Sequence, residues 1–337
     1  MDRVAAMAAT DRADLFNETA ARVSVHEVVV EKDFWVCWLL KQLFTMPELN
    51  GWLTFKGGTS LSKCFHLIHR FSEDVDLAVD FQRLGFTGER DPRRADLSYT
   101  KRQPLLDEML GACREFIAGP LMKSLQDRIA DILGRDGWTL EVSSNDLNTL
   151  EFEYPPALGV QLDYIRPRVI LELGTHAEPI PRGEFPVRPF AADQFPGLFR
   201  EPDCHITTVL AHRTFWEKAT ILHVEYHRAL DKPLLPGYSR HYADVAMMAQ
   251  APAKNEALAD LDLLQSVCRH KDRFYHCGWA RHLEAKPGTF HLLPRKERLG
   301  ALRRDYQDMR VMFFSEAPSF DTVLDQLATL EREINGA

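Results

Sequence analysis

Two aspartates, Asp74 and Asp76, stand two positions apart in the alternating stretch DVDLAVD, which is typical of a β-strand. Residues i and i+2 of a strand project from the same face, so both carboxylates can share a divalent ion. Oxygen ligands of this kind suit Mg²⁺ or Mn²⁺. The pair predicts a metal-binding site, although an Asp-x-Asp strand on its own is more often a pair of exposed acids.

A glycine turn precedes this strand and has the composition of a phosphate-binding loop. Gly57 and Gly58 close the short apolar run WLTF, and Thr59 and Ser60 can cap the helix predicted over TSLSKCFHLIHRF. The backbone N–H groups at a helix N-terminus attract anions. We expect these four residues to hold the phosphates of a nucleoside triphosphate.

The elements around these motifs form a sheet in the first half of the chain. Apolar spacing predicts two helices, over residues 12–23 and 28–44, followed by a strand, the glycine turn, a helix and the Asp-x-Asp strand. Three β-rich stretches follow: WTLEVSS, NTLEFEYP and RPRVILELG. The charged residues EKD at positions 31–33 are interpreted as the first turn of an amphipathic helix.

The second half of the chain has helical periodicity from Ile206 onward. The segment PIPRGEFPVRPFAADQFPG is rich in proline and glycine, so we expect few regular elements within it. We therefore predict one domain over residues 1–190 and a helical domain over residues 200–337. The predicted class is α/β (α+β), with a small mixed sheet flanked by helices and a helical C-terminal domain.

Composition sets limits on the function. The 337 residues are 45% hydrophobic and carry a net charge of −8, which excludes a disordered chain and argues against binding nucleic acid by bulk charge. Local basic surfaces remain possible at RDPRR (residues 90–94) and at residues 295–310, although a solvated helix face is the commoner explanation. Scattered cysteines, no apolar run long enough for a membrane helix and no signal peptide indicate a cytoplasmic protein without a membrane partner.

Taken together, the glycine turn, one helix and an Asp-x-Asp strand resemble the polymerase-β-type nucleotidyltransferase superfamily. The resemblance is closer to one family within it, the AbiEii/AbiGii toxin nucleotidyltransferases. It extends from Glu31 to about Phe314 and is carried by EKDFWVCWLL, GGTSLSK, RFSEDVDL, WEKATILH, RHYADV, PGTFHLLP and ALRRDYQDM.

This resemblance implies a nucleotidyltransferase core and an enzyme that transfers a nucleoside monophosphate from a nucleoside triphosphate with Mg²⁺. Members of the family are toxins of toxin–antitoxin or phage-defence systems, and some add nucleotides to tRNA 3′ ends. We therefore expect a tRNA or another RNA as acceptor and a cognate antitoxin as partner. The reaction would be of the nucleotidyltransferase class of transferases.

The family also uses a third acid on a strand beside the Asp-x-Asp strand. Glu172 lies in RVILELG, the most apolar of the later strands, where a buried acid would need a reason. Glu153 in LEFEYP is the alternative, but its alternating strand is expected to be half exposed. We assign Glu172 as the third metal ligand, beside Asp74 and Asp76.

Two further residues follow from family motifs in the helical half. The motif implies that Lys218, in WEKATILH, contacts the nucleotide phosphates, whereas its spacing alone would favour a surface lysine. Asp244, in RHYADV, matches a second acid of that motif set, which could instead form an ion pair that positions Lys218.

Ser72 is a candidate regulatory residue, because a phosphate on it would repel the triphosphate beside Asp74.

Other functions stay open. A nucleotidyltransferase that modifies a small molecule such as an antibiotic would share the same turn and acids, and a regulatory protein could bind nucleotide without catalysis. Zinc at Cys268, His270, His276 and Cys277 is disfavoured because their spacing is not that of a known structural site. HVEYH, which begins at His223, lacks the glutamate position of a zinc protease motif.

Overall fold

The structure is a computed structural model that describes residues 1–72, 74–159, 165–314 and 316–336. Glu73, part of the motif RFSEDVDL, lies outside the described residues. The chain divides into two compact units: unit 1 is Met1–Cys64 with Ser72–Thr208, and unit 2 is Phe65–Phe71 with Val209–Ala337. The predicted domain ranges, 1–190 and 200–337, stay a prediction.

Unit 1 contains a mixed sheet and the helices that cover it, which confirms the predicted α/β class. Its helices are α1 (Asp2–Ala5), α2 (Ala9–Val23), α3 (Glu27–Thr45), α4 (Gly57–Lys63), α5 (Tyr99–Phe116), α6 (Met122–Leu133) and α7 (Phe190–Gln194). Its strands are β1 (Leu53–Lys56), β2 (Asp74–Val79), β3 (Thr139–Val142), β4 (Thr149–Glu153), β5 (Arg168–Gly174), β6 (Arg182–Val187) and β7 (Cys204–Val209).

In the described residues the strands form one seven-stranded sheet in the order β3-β4-β5-β2-β1-β7-β6. The central strand β2 runs antiparallel to β1 and parallel to β5. Strands β3, β4 and β5 confirm the three β-rich stretches predicted from the sequence. The Asp-x-Asp strand therefore occupies the middle of the sheet, with a neighbour on each side.

Helix α3 is the core helix of unit 1, since nearly every residue from Val28 to Leu43 is buried. The interpretation of residues 31–33 as a charged turn of an amphipathic helix is wrong, because the side chains of Glu31, Lys32 and Asp33 are all buried. Asp33 accepts hydrogen bonds from the Lys63 amine and from the Phe190 backbone N–H. These bonds tie α3 to α4 and α7, which explains why charge is tolerated inside the unit.

Three other expectations about secondary structure are wrong. The helix predicted over TSLSKCFHLIHRF ends at Lys63, and His66 has a positive φ of 53°, which ends helical geometry. The Pro/Gly-rich connection contains β6 and α7, because Pro186 lies on the edge strand, where a missing N–H is tolerated. Residues 204–209 form strand β7 rather than a helix, paired in parallel with β1.

Unit 2 is helical. Its helices are α8 (Ala211–His227), α9 (Ser239–Met248), α10 (Pro252–Ala259), α11 (Leu261–Phe274), α12 (Leu299–Met309) and α13 (Phe320–Asn335). Helix α8 packs against α9, α10 and α11, and α9 packs against α12 and α13. Trp216, Tyr242 and Leu327 are fully buried between these helices. None of the helices in the described ranges combines the length and the apolarity needed to cross a bilayer.

The segment Phe65–Phe71 follows α4 in sequence but belongs to unit 2. Its backbone pairs with residues after α12: Phe71 N–H donates to the Met312 carbonyl over 2.6 Å, and Phe314 N–H donates to the His69 carbonyl over 3.0 Å. Arg70 and Phe313 form an antiparallel bridge between them. The connection between the glycine turn and the Asp-x-Asp strand is therefore anchored in the helical unit.

Candidate active site

The predicted acids of unit 1 lie in one row across the sheet. Asp76 on β2 is in register with Glu172 on β5, and on its other side with Lys56 on β1. Residues in register on adjacent strands project to the same face, about 4.8 Å apart. Asp74 shares that face, because Val75 and Leu77 between and beyond the aspartates point into the core. Three carboxylates thus share one face of two neighbouring strands.

Glu172 lies on the strand beside the Asp-x-Asp strand, which is where a third acid was expected. The reason given from the sequence was wrong, however, because Glu172 is exposed and β5 alternates between buried and open positions. The competing Glu153 lies on β4, which is not adjacent to β2, and its carboxylate accepts from the Thr139 hydroxyl. Register rather than burial therefore separates the two candidates.

Lys56 is a neighbour of the acids that sequence reasoning missed. Its amine lies 3.4 Å from Asp76 Oδ1, and both side chains are about a quarter exposed, at 25% and 28%. The only local signal was its position immediately before Gly57. The register of β1 against β2, which brings the two charges together, depends on the whole sheet and cannot be deduced from the motif.

Gly57 lies directly against the carboxylate of Asp76. Its φ is +79°, and a Cβ at this position would meet Asp76 Oδ2 at 1.9 Å. Any side chain here would therefore be strained in its backbone and would also displace Asp76. The glycine thus permits the close approach of the turn to the acids, which a phosphate site beside a metal site would need.

The hydroxyls of the glycine turn donate hydrogen bonds to backbone carbonyls of unit 1. Thr59 Oγ1 donates to the Asp74 carbonyl, and Ser60 Oγ donates to the Gly57 carbonyl over 2.9 Å. Both side chains are buried. Thr59 Oγ1 also lies 3.5 Å from the Ser72 carbonyl, so the turn, Ser72 and the first residue of β2 are linked. Contacts with phosphate at this turn would come mainly from backbone N–H groups.

The donor set suits a hard divalent cation, since Asp74, Asp76 and Glu172 offer carboxylate oxygens on one face. Among the residues that the structure describes, no group of three or more His, Cys, Asp or Glu side chains is already gathered closely enough to hold a metal ion. Asp76 instead faces Lys56. The chemistry of the donors therefore fits Mg²⁺ or Mn²⁺, and Lys56 is a positive charge beside Asp76.

Unit 2 brings Lys218 and Asp244 together. Lys218 Nζ on α8 donates to Asp244 Oδ2 on α9 over 2.8 Å. Asp244 is fully buried, and Lys218 is 7% exposed. The sequence left two roles open for Asp244, and the observed contact is the ion pair with Lys218.

Arg70 completes this cluster and was missed by sequence reasoning. Its Nε and Nη2 donate to Asp244 Oδ1 and Oδ2, each over 2.8 Å, in a bidentate pair. Burial alone would raise the pKa of Asp244, but the charges of Arg70 and Lys218 outweigh it and hold that pKa well below its usual range. A carboxylate held by two cations stays ionised and fixes the position of Lys218.

Arg240 and His241, one turn before Asp244 on α9, differ in their exposure to solvent. Arg240 is exposed, whereas burial first and the Lys218 charge second lower the pKa of His241 to about 3. His241 is therefore neutral at physiological pH. The positive charge that acts on Asp244 comes from Arg70 and Lys218.

The basic segment 295–310 does not form one exposed row. Arg295 and Arg298 point inward and donate to the carbonyls of Arg228 and Ala229. Arg303 forms an ion pair with Asp321. Only part of this charge, including the exposed Arg304 and Arg310, faces solvent. In RDPRR, Arg93 and Arg94 likewise pair with Asp91 and Asp96.

Comparison with known proteins adds two findings. Among solved structures, the chain resembles MenT4, nucleotidyltransferase toxin Rv2826c from Mycobacterium tuberculosis H37Rv, with 16% sequence identity and a TM-score of 0.44. The similar region covers 94% of this chain and 98% of that chain. No curated protein matches the chain.

The second finding concerns the family. The model of the nucleotidyl transferase AbiEii toxin family, described as a type IV toxin–antitoxin system, matches residues 38–326. This range includes the glycine turn, the Asp-x-Asp strand, Glu172 and the Lys218–Asp244 pair. Because the match spans most of both units, it confirms the resemblance seen in the motifs: the chain belongs to the AbiEii family of nucleotidyltransferase toxins.

Proposed function

We propose that this toxin transfers a nucleoside monophosphate from a nucleoside triphosphate to a hydroxyl of an RNA, with the 3′ end of tRNA as the acceptor. The observation that carries the proposal is the row formed by Asp76 and Glu172 in register, with Asp74 on the same face and Gly57 against Asp76. Membership of a nucleotidyltransferase family supports the reaction class.

In this proposal Asp74, Asp76 and Glu172 hold Mg²⁺ or Mn²⁺. Such an ion would supply Lewis-acid polarisation of the α-phosphate and neutralise charge that develops in the transition state. A carboxylate of the same set accepts the proton of the attacking hydroxyl. Gly57, Gly58, Thr59 and Ser60 orient the β- and γ-phosphates through the backbone N–H groups of the turn.

Lys218 stabilises the pyrophosphate that leaves. A lysine fixed by a buried carboxylate costs little reorganisation when negative charge develops, which is how a preorganised cation lowers a barrier. Asp244 holds Lys218 in this role, and Arg70 holds Asp244.

The test is incubation of the purified protein with each of the four α-labelled triphosphates, Mg²⁺ and total tRNA, with total protein and aminoglycosides as alternative acceptors. We expect label on the 3′ ends of tRNA, and none with Asp76→Ala. Label on an aminoglycoside would instead identify a small-molecule nucleotidyltransferase. Absence of label on every acceptor would support a nucleotide-binding regulator.

Membership of the same family also supports a proposal for the partner and the location of the protein in the cell. We propose that a cognate antitoxin restrains this toxin in the cytoplasm and that the pair serves in phage defence. All six cysteines are free thiols, which suits a reducing compartment. Expression of the wild type should arrest growth, whereas Asp76→Ala should relieve the arrest.

Ser72 is proposed as the regulatory position. Its carbonyl lies against Thr59 of the turn, and it precedes Asp74 by two residues. A phosphate here would place about two negative charges beside the metal acids and repel the triphosphate. Ser72→Glu should reduce transfer at least tenfold while Ser72→Ala retains it, as measured with the labelled nucleotide; equal rates would remove Ser72 from this role.

A further inference from the structure

A short segment of unit 2, residues 275–283, exposes large side chains to solvent and is named here the aromatic turn. Tyr275, Trp279 and Leu283 are 52%, 47% and 55% exposed. The turn consists largely of two 3₁₀ turns, Gly278–Ala280 and His282–Glu284. Exposed apolar groups that fall close together usually mark an interaction surface rather than a packing defect.

Arg281, in the middle of the aromatic turn, has an unusual backbone. Its φ of 49° and ψ of 40° are left-handed, which a side-chain-bearing residue adopts only when its surroundings impose it. His223 supplies that constraint, because its Nδ1 accepts from the His291 N–H and its Nε2 therefore donates to the Arg281 carbonyl over 3.3 Å. The fold thus enforces a strained conformation that leaves the Arg281 side chain 53% exposed.

A second arginine lies against the exposed tryptophan. The guanidinium carbon of Arg228, at the end of α8, is 5.9 Å from the centre of the Trp279 ring. Arg228 Nη1 also lies 3.4 Å from Glu225 Oε2, which limits its freedom to move. One face of unit 2 therefore combines an open indole ring with a guanidinium group.

Further rings lie at the end of α8, next to Arg228 in the sequence. The rings of Tyr226 and His291 stack with their centres 3.8 Å apart, and His227 lies beside His291. Burial, followed by the charge of Arg281, lowers the pKa of His227. Glu284 pairs with Arg281 over 3.4 Å, but both side chains are more than half exposed, so the pair is weak and can open for a ligand.

We propose that the aromatic turn binds single-stranded RNA, with a base stacked on Trp279 and backbone phosphates held by Arg281 and Arg228. Aromatic rings interleaved with cations are how proteins hold unpaired nucleotides, since every base offers a π face and every nucleotide a phosphate. This proposal rests on the proposed function, because it supplies the surface for the RNA acceptor. It also explains how a chain with a net charge of −8 can bind RNA.

The experiment measures the affinity of the full chain for 5′-labelled twelve-nucleotide oligoadenylate and for total tRNA by filter binding between 50 and 200 mM salt. Trp279→Leu should weaken binding about ten- to hundredfold, as loss of one stacked base does, without changing the salt dependence. Arg281→Gln should lower the slope of log K against log salt by about 0.7, as loss of one single-strand phosphate contact does.

Two variants serve as controls. Trp279→Phe keeps a ring and should retain most of the affinity, which separates stacking from apolar contact. Tyr99→Ala removes an aromatic side chain of nearly equal exposure, 49%, from unit 1 and should leave RNA binding unchanged. Unchanged thermal melting of each variant shows that the fold is intact, as expected at half-exposed positions.

Equal affinity of the wild type and Trp279→Leu would overturn the proposal. An equal loss in Tyr99→Ala would overturn it as well, because the effect would then not be local. RNA binding through Trp279 without nucleotide transfer would overturn the proposed function alone. Transfer to tRNA that does not depend on Trp279 would overturn this surface alone.

Discussion

Two buried aspartates, one in each unit, show how different surroundings give the same residue different properties. In unit 1, Asp33 faces one cation, Lys63, and one backbone N–H, that of Phe190. Burial raises the pKa of Asp33 because a single lysine does not outweigh it. In unit 2, Asp244 faces Arg70 and Lys218, and their two charges outweigh burial and lower its pKa.

The two aspartates therefore differ in the number of cations that each one holds. Asp33 joins three helices through Lys63 and the Phe190 N–H, and a buried single ion pair of this kind adds little net stability. Both carboxylate oxygens of Asp244 accept from cations, and the contact with Lys218 fixes the position of that amine. Strongly perturbed carboxylates with specific charge partners are candidates for functional sites, which motivates the role proposed for Asp244.

The largest expected effect is on stability. Asp244→Asn would leave two buried cations without a counter-charge, so the free energy of unfolding should fall by about 3–5 kcal/mol. Asp33→Asn should cost only about 1–2 kcal/mol, because it leaves one cation and keeps a side-chain acceptor for the Phe190 N–H. Urea unfolding of both variants tests the comparison, and equal losses would remove the distinction between the two aspartates.

The next effect concerns activity. Lys218→Met removes the cation while conserving the shape of the side chain, and should lower the transfer rate about 10²–10³-fold, as removal of a preorganised charge does. Lys63→Met is the matched variant in unit 1 and should retain the rate constant of the folded protein. Single-turnover transfer of labelled nucleotide measures both. A similar loss in the two variants would place Lys63 in the chemistry as well.

Substitution of Arg70 should give Asp244 the surroundings that Asp33 has. Arg70→Gln leaves Asp244 with one lysine, the arrangement of Asp33, so the pKa of Asp244 should rise. As the pH is lowered from 7 toward 5, activity of the variant should fall before that of the wild type, because Asp244 with a higher pKa takes up a proton earlier. The wild-type profile should stay flat. Arg240 and His241 also lie near Asp244, and neutral His241 adds no charge in this range. Arg70→Lys should restore the flat profile; parallel profiles for the wild type and Arg70→Gln would refute the positioning role.

The smallest effect is the pH dependence of stability. The native state holds the Asp33 proton to higher pH than the unfolded state, so wild-type stability should fall as pH rises from the usual value of 3.8 through the raised pKa. Asp244 acts in the opposite sense: it contributes stability above 3.8 that is lost as pH falls below it. The penalty of Asp33→Asn should therefore shrink as pH rises from 3.8 through the raised pKa, by about 1.4 kcal/mol for each pH unit crossed, as read from urea midpoints.

Local patterns were sufficient for the parts of the site that lie within one motif. The alternation of DVDLAVD places Asp74 and Asp76 on one face, and Gly57 has the positive φ that a glycine turn predicts. The choice of Glu172 identified a residue in register with Asp76, but its predicted burial was wrong, because burial depends on which strands and helices cover each face of β5.

Two long-range contacts, that of Arg70 with Asp244 and that of Lys56 with Asp76, could not be predicted from the sequence. Arg70 and Asp244 are 174 positions apart, and Arg70 lies in a segment whose apolar spacing indicated a helix. The helix ends at Lys63 because the segment that follows pairs with the chain around Met312, a tertiary contact without a local signal. Lys56 was missed for the same reason, since only the sheet register brings it to Asp76.

The most direct test of the account is to compare transfer from α-labelled and γ-labelled triphosphate to tRNA in the presence of Mg²⁺. Nucleotidyl transfer predicts that the α-label becomes attached to tRNA, that the γ-label leaves as pyrophosphate, and that Asp76→Asn and Lys218→Met abolish or greatly slow the attachment. Attachment of the γ-label, or attachment of the α-label at the wild-type rate in Asp76→Asn, would contradict it.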